Sequence, residues 1–349
     1  MRIVFDCERM RYPCTGIFEY CVQLGNALHD LTTHTVELSY YIDEKAKKYF
    51  NPESQFLIHK RYHKFLFPVL KDVDLWHITY QMSAYAPKSK KIKSVLTIHD
   101  LNFLYEGRTT GEVKKNLDKH QKRIKNADHI VAISNFVKND IIRHLDIEDK
   151  PITVIYNGCA EIQPASTIRP SSKSAAPFLF TLGTVNAKKN AHSLIPLLID
   201  NDFELLIAGK SDASYLKKII KEAEKHGVSK RVKLLGAITE ADKQWYYKHC
   251  EAFLFPSIAE GFGIPPIEAM RFGKPTFLSD RTSLPEIGGQ HAYYFKSFDP
   301  AAMQAVFNAG MEHFRQHQPA ADLILHAQQF NWKNTALAYL DVYKRTLNV

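Results

Sequence analysis

The sequence predicts an α/β protein built from two doubly wound, Rossmann-like domains, and three observations carry that reading. Short β-branched or aromatic runs alternate with longer amphipathic ones from end to end. The short runs are continuously apolar, as strands are in parallel sheets covered on both faces. At 349 residues the chain exceeds one ordinary domain and suits two.

In chain order, "RIVFD", "TVELSYYI", "LWHITY", "SVLTIHD", "HIVAIS" and "ITVIYNG" read as strands of the first half. "GIFEYCVQLGNALHDL", "GEVKKNLDKHQKRIKNA" and "NFVKNDIIRHL" read as helices between them, with apolar residues at helical spacing. The second half repeats the alternation with "FLFTLGT", "FELLIAG", "VKLLG", "AFLFPS", "PTFLSD" and "AYYF". Between the halves lies "AEIQPASTIRPSSKSAAP", which has no apolar periodicity and is rich in Pro, Ser and Ala. These signals divide the chain into a first domain over 1–160, a linker over 161–177 and a second domain over 178–330. A C-terminal helix over 331–349, amphipathic and basic at its end, is placed to cross back to the first domain. Ligands of such sheets sit beyond the carboxyl ends of the strands. With two domains, the natural site is the cleft between them.

Composition narrows the function classes. Hydrophobic residues at 45% and charged residues at 24% are those of a globular chain. Lys plus Arg number 46 against 37 Asp plus Glu, a net charge of +9 that suits an anionic partner. Nucleic acid, a phosphorylated small molecule and an anionic membrane surface all meet that description. No nucleic-acid-binding motif is present and the lysines are scattered, so nucleic acid is not the expected partner. No apolar run approaches the ~18 residues of a membrane span. "MRIVFDCE" reads as a buried strand rather than a signal peptide. Five cysteines without a C-x-x-C pair fit a reducing cytosol better than a zinc site or a disulfide framework.

The candidate site residues fall in loops that follow strands. Gly16 leads from the first strand into a helix, where a glycine serves either a tight turn or the approach of a phosphate. His99 ends the strand "SVLTI", a position suited to hydrogen bonding or acid–base work and equally to a structural role. Lys188 and Lys189 lie after a strand and before a helix, where two ammonium groups suit a diphosphate or simply face solvent. The most specific stretch is "AEGFGIPPIEAM", 259–270. Gly261 and Gly263 argue for a loop, and Pro265-Pro266 for the first turn of a helix. Glu260 therefore belongs to the loop and Glu268 to the helix. Pro265 and Pro266 have no N–H, so the usable backbone donors are Gly261, Phe262, Gly263 and Ile264, which can bind hydroxyls or a phosphate. The two carboxylates are spaced to grip two parts of one extended ligand.

"EGFGIPPIEAM" followed by "GKPTFLSDRTSLPEIGG" resembles the retaining glycosyltransferases of family 4, whose fold is GT-B and whose hallmark is E-x(7)-E. The likeness extends through "TGIFEY", "TIHDLNFLYEG", "ADHIVAISNFVKNDI", "VIYNG", "LGTVNAKKN", "LLIAGK" and the C-terminal helix. It implies that two Rossmann-like domains face each other across a cleft. It also implies roles: Glu260 with the Phe262, Gly263 and Ile264 amides on the donor sugar, and Glu268 on the ribose. Lys189 would meet the diphosphate, Gly16 would approach it, and His99 would lie beside the donor sugar. Ala237 and Ile238 of "LGAI" would flank the nucleobase. Three positions depart from the pattern. Thr184 stands where many members have Arg, Lys188 stands where a related subgroup has Arg, and Phe18 replaces the second glycine of G-I-G.

The reaction so implied moves a hexose from a nucleoside diphosphate sugar to a hydroxyl with retention of configuration. GDP-mannose is the favoured donor and a UDP-hexose the alternative. The acceptor would be a glycan or lipid-linked glycan of a bacterial surface polysaccharide, met in the cytoplasm or at the cytoplasmic face of the inner membrane. Lysine side chains and a helix end would neutralise the leaving diphosphate, so no metal is expected. A nucleotide-sugar epimerase on the same fold is a weaker alternative. "KRYHKFLFPVLK" (60–71) and "KSKKIK" (88–93) interleave cations with apolar residues, a composition suited to anionic lipid or to a helix with a solvated rim.

Overall fold

The computed structural model describes residues 1–13, 15–32, 35–87, 89–162 and 176–349. Residues 163–175 of the expected linker, and Lys88 of the second basic run, lie outside the described residues. The chain forms two compact units, one of Met1–Ala160 with Phe330–Val349 and one of Glu161–Gln329.

The first unit holds a seven-stranded sheet of β1 (Arg2–Asp6), β2 (Glu37–Ile42), β3 (Gln55–Ile58), β4 (Leu75–Ile78), β5 (Lys93–Ile98), β6 (His129–Ala132) and β7 (Ile152–Val154). Its order is β3-β2-β1-β4-β5-β6-β7 and every pairing is parallel. The order reverses between β1 and β4, which makes that crevice the switch point of the sheet. Helices α1 (Gly16–Asp30), α2 (Thr110–Lys125) and α3 (Asn135–His144) are each capped at the N-terminus by a Ser or Thr hydroxyl, from Thr15, Thr109 and Ser134. Strand β3 is absent from the sequence reading. It has only four half-buried or exposed residues between polar neighbours, too few to show a period.

The C-terminal helix, Trp332–Leu347, packs into the core of this unit through Trp332, Ala336, Tyr339, Val342 and Tyr343. Its tyrosines complete a buried hydrogen-bonded chain. Tyr20 donates to Tyr339 at 2.7 Å, Tyr339 meets Thr97 at 2.9 Å, and Thr97 meets His77 Nε2 at 2.8 Å. Tyr343 closes the chain on His77 Nδ1 at 2.7 Å. Burial, helped by His99 nearby, depresses the His77 pKa to about 3, so the ring is neutral and each nitrogen has one partner.

The second unit holds β8 (Phe178–Leu182), β9 (Glu204–Ala208), β10 (Val232–Gly236), β11 (Ala252–Phe255), β12 (Thr276–Ser279) and β13 (Tyr293–Phe295), all parallel in the order β10-β9-β8-β11-β12-β13. Here the switch point falls between β8 and β11. Helices α4 (Ala213–Lys225), α5 (Glu240–His249), α6 (Ile264–Arg271), α7 (Leu284–Gly288), α8 (Pro300–His317) and α9 (Ala320–Gln328) follow in turn. The segment after Lys189 is not an α-helix. It runs as 3-10 helix over Ala191–Leu198, entered by the left-handed Asn190 and carrying Pro196, which cannot donate within a longer helix. Aliphatic side chains of β8, β9 and β11 form one core with this segment, and Phe180, Tyr246, Tyr247 and Phe253 form another on the opposite face.

Candidate functional site

Two loops meet at the switch point of the second unit. The first leaves β8 through Gly183 and Thr184 and carries Lys188 and Lys189 in a 3-10 turn, Ala187–Lys189, capped by Asn186. Glycine is required twice here. Gly209, at the end of β9, has φ +130°, and a Cβ there would stand 1.9 Å from the Gly183 carbonyl oxygen. The second loop leaves β11, carries Ser257 and Glu260, and enters α6 at Gly263 with φ +119°. Pro265 and Pro266 sit at the start of α6, where a missing N–H costs nothing.

Hydrogen bonds lock the loops together. Ile258 N–H donates to the Lys188 carbonyl at 2.8 Å, and the Ser257 hydroxyl donates to the same oxygen at 3.3 Å. Glu260 N–H donates to Thr282 Oγ1 at 2.9 Å. The Ser283 hydroxyl donates to the carbonyls of Glu260 and Phe262 at 2.9 and 2.8 Å. This places Lys189 Nζ 2.5 Å from Glu260 Oε1, with the Ser257 hydroxyl also 2.5 Å from that oxygen. Lys189 Nζ lies 4.6 Å from the centre of the Phe255 ring, a cation–π contact that fixes its direction. Burial pushes the Glu260 pKa up, but the charges of Lys189 and Lys188 and the two short hydrogen bonds outweigh it and hold the pKa below the usual value. Glu260 is an ionised carboxylate at neutral pH.

Glu268 makes a separate pair. Lys243 Nζ lies 2.6 Å from its Oε1 and 2.9 Å from Glu240 Oε2, while the Tyr247 hydroxyl donates to Oε2 at 2.8 Å. Burial disfavours the charge on Lys243, yet Glu268 and Glu240 more than compensate and raise its pKa. Lys243 and Tyr247 are one helical turn apart on α5, and α5 begins just after the loop that holds Ala237 and Ile238. Ala237 is exposed, and Ile238 packs on the core beside Leu235.

The structure thus gathers Lys188, Lys189 and Glu260 in one cluster and joins Phe262, Gly263, Ile264 and Glu268 to it through α6. Thr184 is exposed on the β8 loop. Gly16 and His99 belong to the other unit. Gly16 is the first residue of α1, exposed, and a Cβ there would meet nothing within 4 Å. No packing demands that glycine. Phe18, the departure two residues on, is buried and meets Tyr49 edge-on at 5.0 Å. His99 Nε2 lies 2.7 Å from the Thr79 carbonyl oxygen, which fixes the proton on Nε2 and leaves Nδ1 an acceptor. Burial lowers its pKa despite that bond and the Asp100 charge. The sequence reading did not pick out Ser257, Lys243 or Tyr247. The i, i+4 spacing of Lys243 and Tyr247 was the available signal for the last two.

Among the described residues, no three His, Cys, Asp or Glu side chains group closely enough to hold a metal ion. Two Asp-x-Asp triplets exist, Asp72–Asp74 and Asp200–Asp202, and each precedes a strand, at the amino edge of its own unit's sheet. Asp72 and Asp74 are engaged with Arg2.

The arrangement sets two carboxylates, groups that can accept hydroxyls, each beside a lysine whose ammonium can meet an oxyanion. A ligand that brings hydroxyls to Glu260 and Glu268 and oxyanions to the lysines leaves no buried charge unpaired. Residues 17–160 match the family model described as Glycosyltransferase Family 4, and residues 166–313 the one described as Glycosyl transferases group 1. The chain is a family-4 glycosyltransferase. Relatives of this glycosyltransferase include the serotype-specific mannosyltransferase WbdA of Escherichia coli, 28% identical over 237 residues. That match covers 63% of this chain and only 29% of WbdA. The O-antigen chain mannosyltransferase B of Escherichia coli is 24% identical over 384 residues, which is 99% of this chain and all of that one. Among solved structures, Anabaena HepE in complex with UDP and glucose superposes with a TM-score of 0.75 at 16% identity, over 99% and 100% of the two chains. Sucrose-phosphate synthase from Thermosynechococcus elongatus gives 0.74 at 17%, over 99% and 98%. Those likenesses establish the fold of the glycosyltransferase as GT-B.

Proposed function

We propose that this glycosyltransferase moves a hexose, favoured as mannose from GDP-mannose, onto a glycan or lipid-linked glycan of a bacterial surface polysaccharide. The Lys189–Glu260 pair at the β8/β11 switch point carries the reading of the donor site. Glu260 accepts hydroxyls of the donor sugar, Lys188 and Lys189 take the diphosphate, and Glu268 holds the ribose diol. Ala237 and Ile238 flank the base. Gly16 approaches the diphosphate, and His99, neutral with Nδ1 as an acceptor, receives a hydroxyl near the reacting carbon.

The chemistry follows from the charges. As the bond from the anomeric carbon to the diphosphate breaks, negative charge gathers on the leaving oxygen, and the lysines stabilise it. That oxygen takes the proton of the acceptor hydroxyl, which attacks from the same face, so configuration is retained. In this reading Glu260 accepts sugar hydroxyls rather than acting as the nucleophile, with its Oε1 held by Lys189 and Ser257. No step calls on a metal. The names of the relatives support mannose, while UDP bound to HepE favours a UDP-hexose as the second reading. Purified protein titrated with GDP-mannose, UDP-glucose and UDP-galactose, with donor hydrolysis as readout, decides between them. Turnover of none of them would remove the proposed activity.

An acceptor on a lipid would bring the protein to a membrane. None of the helices among the described residues is long and apolar enough to cross one. Phe65 and Leu66, each 73% exposed, and Val69 at 89% stand beside Lys60, Arg61 and Lys64, and this surface suits the headgroup region of an anionic leaflet. Co-sedimentation with anionic vesicles, reversed by salt, is the expected result. Equal binding to neutral vesicles would leave the patch as ordinary surface.

A further inference from the structure

A third loop, the one after β12, takes part in the β8/β11 site, and the donor reading gives it no task. Strand β12 lies beside β11 in the sheet, and the side chains at its end reach across to the Glu260 loop. Ser279 donates to the Ser257 carbonyl at 2.5 Å. Thr282 Oγ1 accepts the Glu260 N–H at 2.9 Å, and the Ser283 hydroxyl stands 2.9 Å from the Glu260 carbonyl oxygen. With Ser257 and Lys189 on Oε1, Oε2 is the one polar atom of Glu260 without a partner among the described residues.

Thr282 does this from an unfavourable conformation. Its φ is +52°, in the left-handed region, where a β-branched side chain crowds its own backbone and glycine is the ordinary occupant. Strain of this kind persists where the surroundings over-determine the backbone, and it gathers at sites with a task. The surroundings here are identifiable. Ser279, Ser283 and Leu284 are fully buried, and Leu284 Cδ2 would stand 2.9 Å from a Cβ at Gly263, so the chain on both sides of Thr282 is fixed. A glycine at 282 would suit the backbone better, and it would leave the Glu260 N–H without its acceptor. One residue thus combines a conformation that lowers stability with an oxygen that fixes Glu260.

We propose that Thr282 is a positioning residue for transfer: its Oγ1 anchors the Glu260 backbone so that Oε1 stays with Lys189 and Ser257 while Oε2 is left for the donor sugar. This rests on the donor reading above and adds to it the residue that sets the carboxylate. Loss of the anchor displaces Glu260 without changing any charge, and a reacting group misplaced by about 1 Å loses much of its effect on rate.

The test compares Thr282→Val, Thr282→Gly and Thr282→Ser in the full chain. Valine keeps the branch and the strain without the oxygen, glycine removes both, and serine keeps the oxygen. With whichever of GDP-mannose, UDP-glucose and UDP-galactose the unaltered protein turns over, Thr282→Val should lower kcat by about tenfold or more. Its affinity for the free nucleoside diphosphate should stay within a few-fold. Thr282→Gly should be as slow as Thr282→Val although it melts higher, by about 2 °C or more, through release of the strain. Thr282→Ser should recover most of the rate. A second measurement needs no donor. Burial raises the pKa of the Glu260 carboxyl, and Lys189, Lys188 and Ser257 bring it below its ordinary value. Followed by NMR and assigned with Glu260→Gln, that pKa should rise toward the ordinary value in Thr282→Val and stay low in Thr282→Ser. Unchanged kcat in Thr282→Val, or full rate in Thr282→Gly, would overturn the proposal. So would a Thr282→Val variant whose Glu260 carboxyl titrates as before, or one that loses nucleotide affinity and rate alike, since Thr282 would then serve the fold. If the unaltered protein turns over none of the three donors, the transferase reading falls instead, and the carboxyl titration still decides whether Thr282 sets Glu260.

Discussion

The two sheets share one topology up to their switch points and then furnish them in opposite ways. In the second unit the loops bring whole charges into half-buried positions, and each carboxylate has its own lysine: Glu260 with Lys189, Glu268 with Lys243. In the first unit burial behind the crevice works against the charged form of its titratable groups. His77 and His99 have depressed pKa values, and Asp6 is pushed up to about 7 by burial. Topology fixes where a ligand binds, and loop chemistry fixes whether the place stabilises charge or excludes it.

The comparison breaks most easily at Gly209. Gly209→Ala combines a strained φ with a Cβ inside contact distance of the Gly183 carbonyl, so the second unit should lose about 3 kcal/mol or more of stability. Chemical denaturation should show it, and a loss below ~1 kcal/mol would mean the β8 and β9 loops are not tied as described. Glu268→Ala comes next. Its removal should weaken nucleoside diphosphate binding by about 1.5–3 kcal/mol, the range for a charge-assisted hydrogen bond, as read by calorimetry. Unchanged affinity in a folded variant would take Glu268 out of the donor site.

Acid should test the first unit. The His77 pKa is lower in the fold than in the unfolded chain, so the unfolded state binds the extra proton. Stability is therefore complete above the unfolded value of about 6.5 and falls as pH drops from there toward 3. At pH 5 the share from His77 is about 2 kcal/mol. His77→Phe should flatten the slope of stability between pH 7 and 5 by up to about one proton, whatever its absolute stability. An unchanged slope would place the titration elsewhere. The smallest effect belongs to Gly16→Ala. With nothing near the new Cβ, stability should change by less than ~1 kcal/mol, while donor turnover falls if backbone there approaches phosphate. Full turnover would leave Gly16 without a role at the donor.

The sequence makes the backbone of the second unit legible because most of its strands are short, mainly apolar runs ended by Gly, Pro or Ser, as in "FLFTLG", "ELLIAG" and "AFLFP". Strand β3 has no such signal, since "QFLI" is short and only half buried. The turn around Glu260 is legible for a local reason, as Gly263 and Pro265-Pro266 dictate backbone conformation residue by residue. The contacts of the carboxylates are not local. Lys189 reaches Glu260 across 71 residues because β8 lies beside β11, and Lys243 reaches Glu268 across 25 because α5 packs against α6. The helix expected after Lys189 becomes a 3-10 segment through Asn190 and Pro196, both visible in the sequence.

The central claim is that Glu260 grips the sugar of the donor while its lysine partner grips the phosphates. Calorimetric titration of Glu260→Ala with the free nucleoside diphosphate and with the matching nucleoside diphosphate sugar, paired with a transfer assay, tests it directly. Affinity for the free nucleotide should stay within a few-fold of the unaltered protein, the added affinity for the sugar nucleotide should vanish, and transfer should fall by about 100-fold or more. Near-normal transfer, or equal losses for nucleotide and sugar nucleotide, would contradict it.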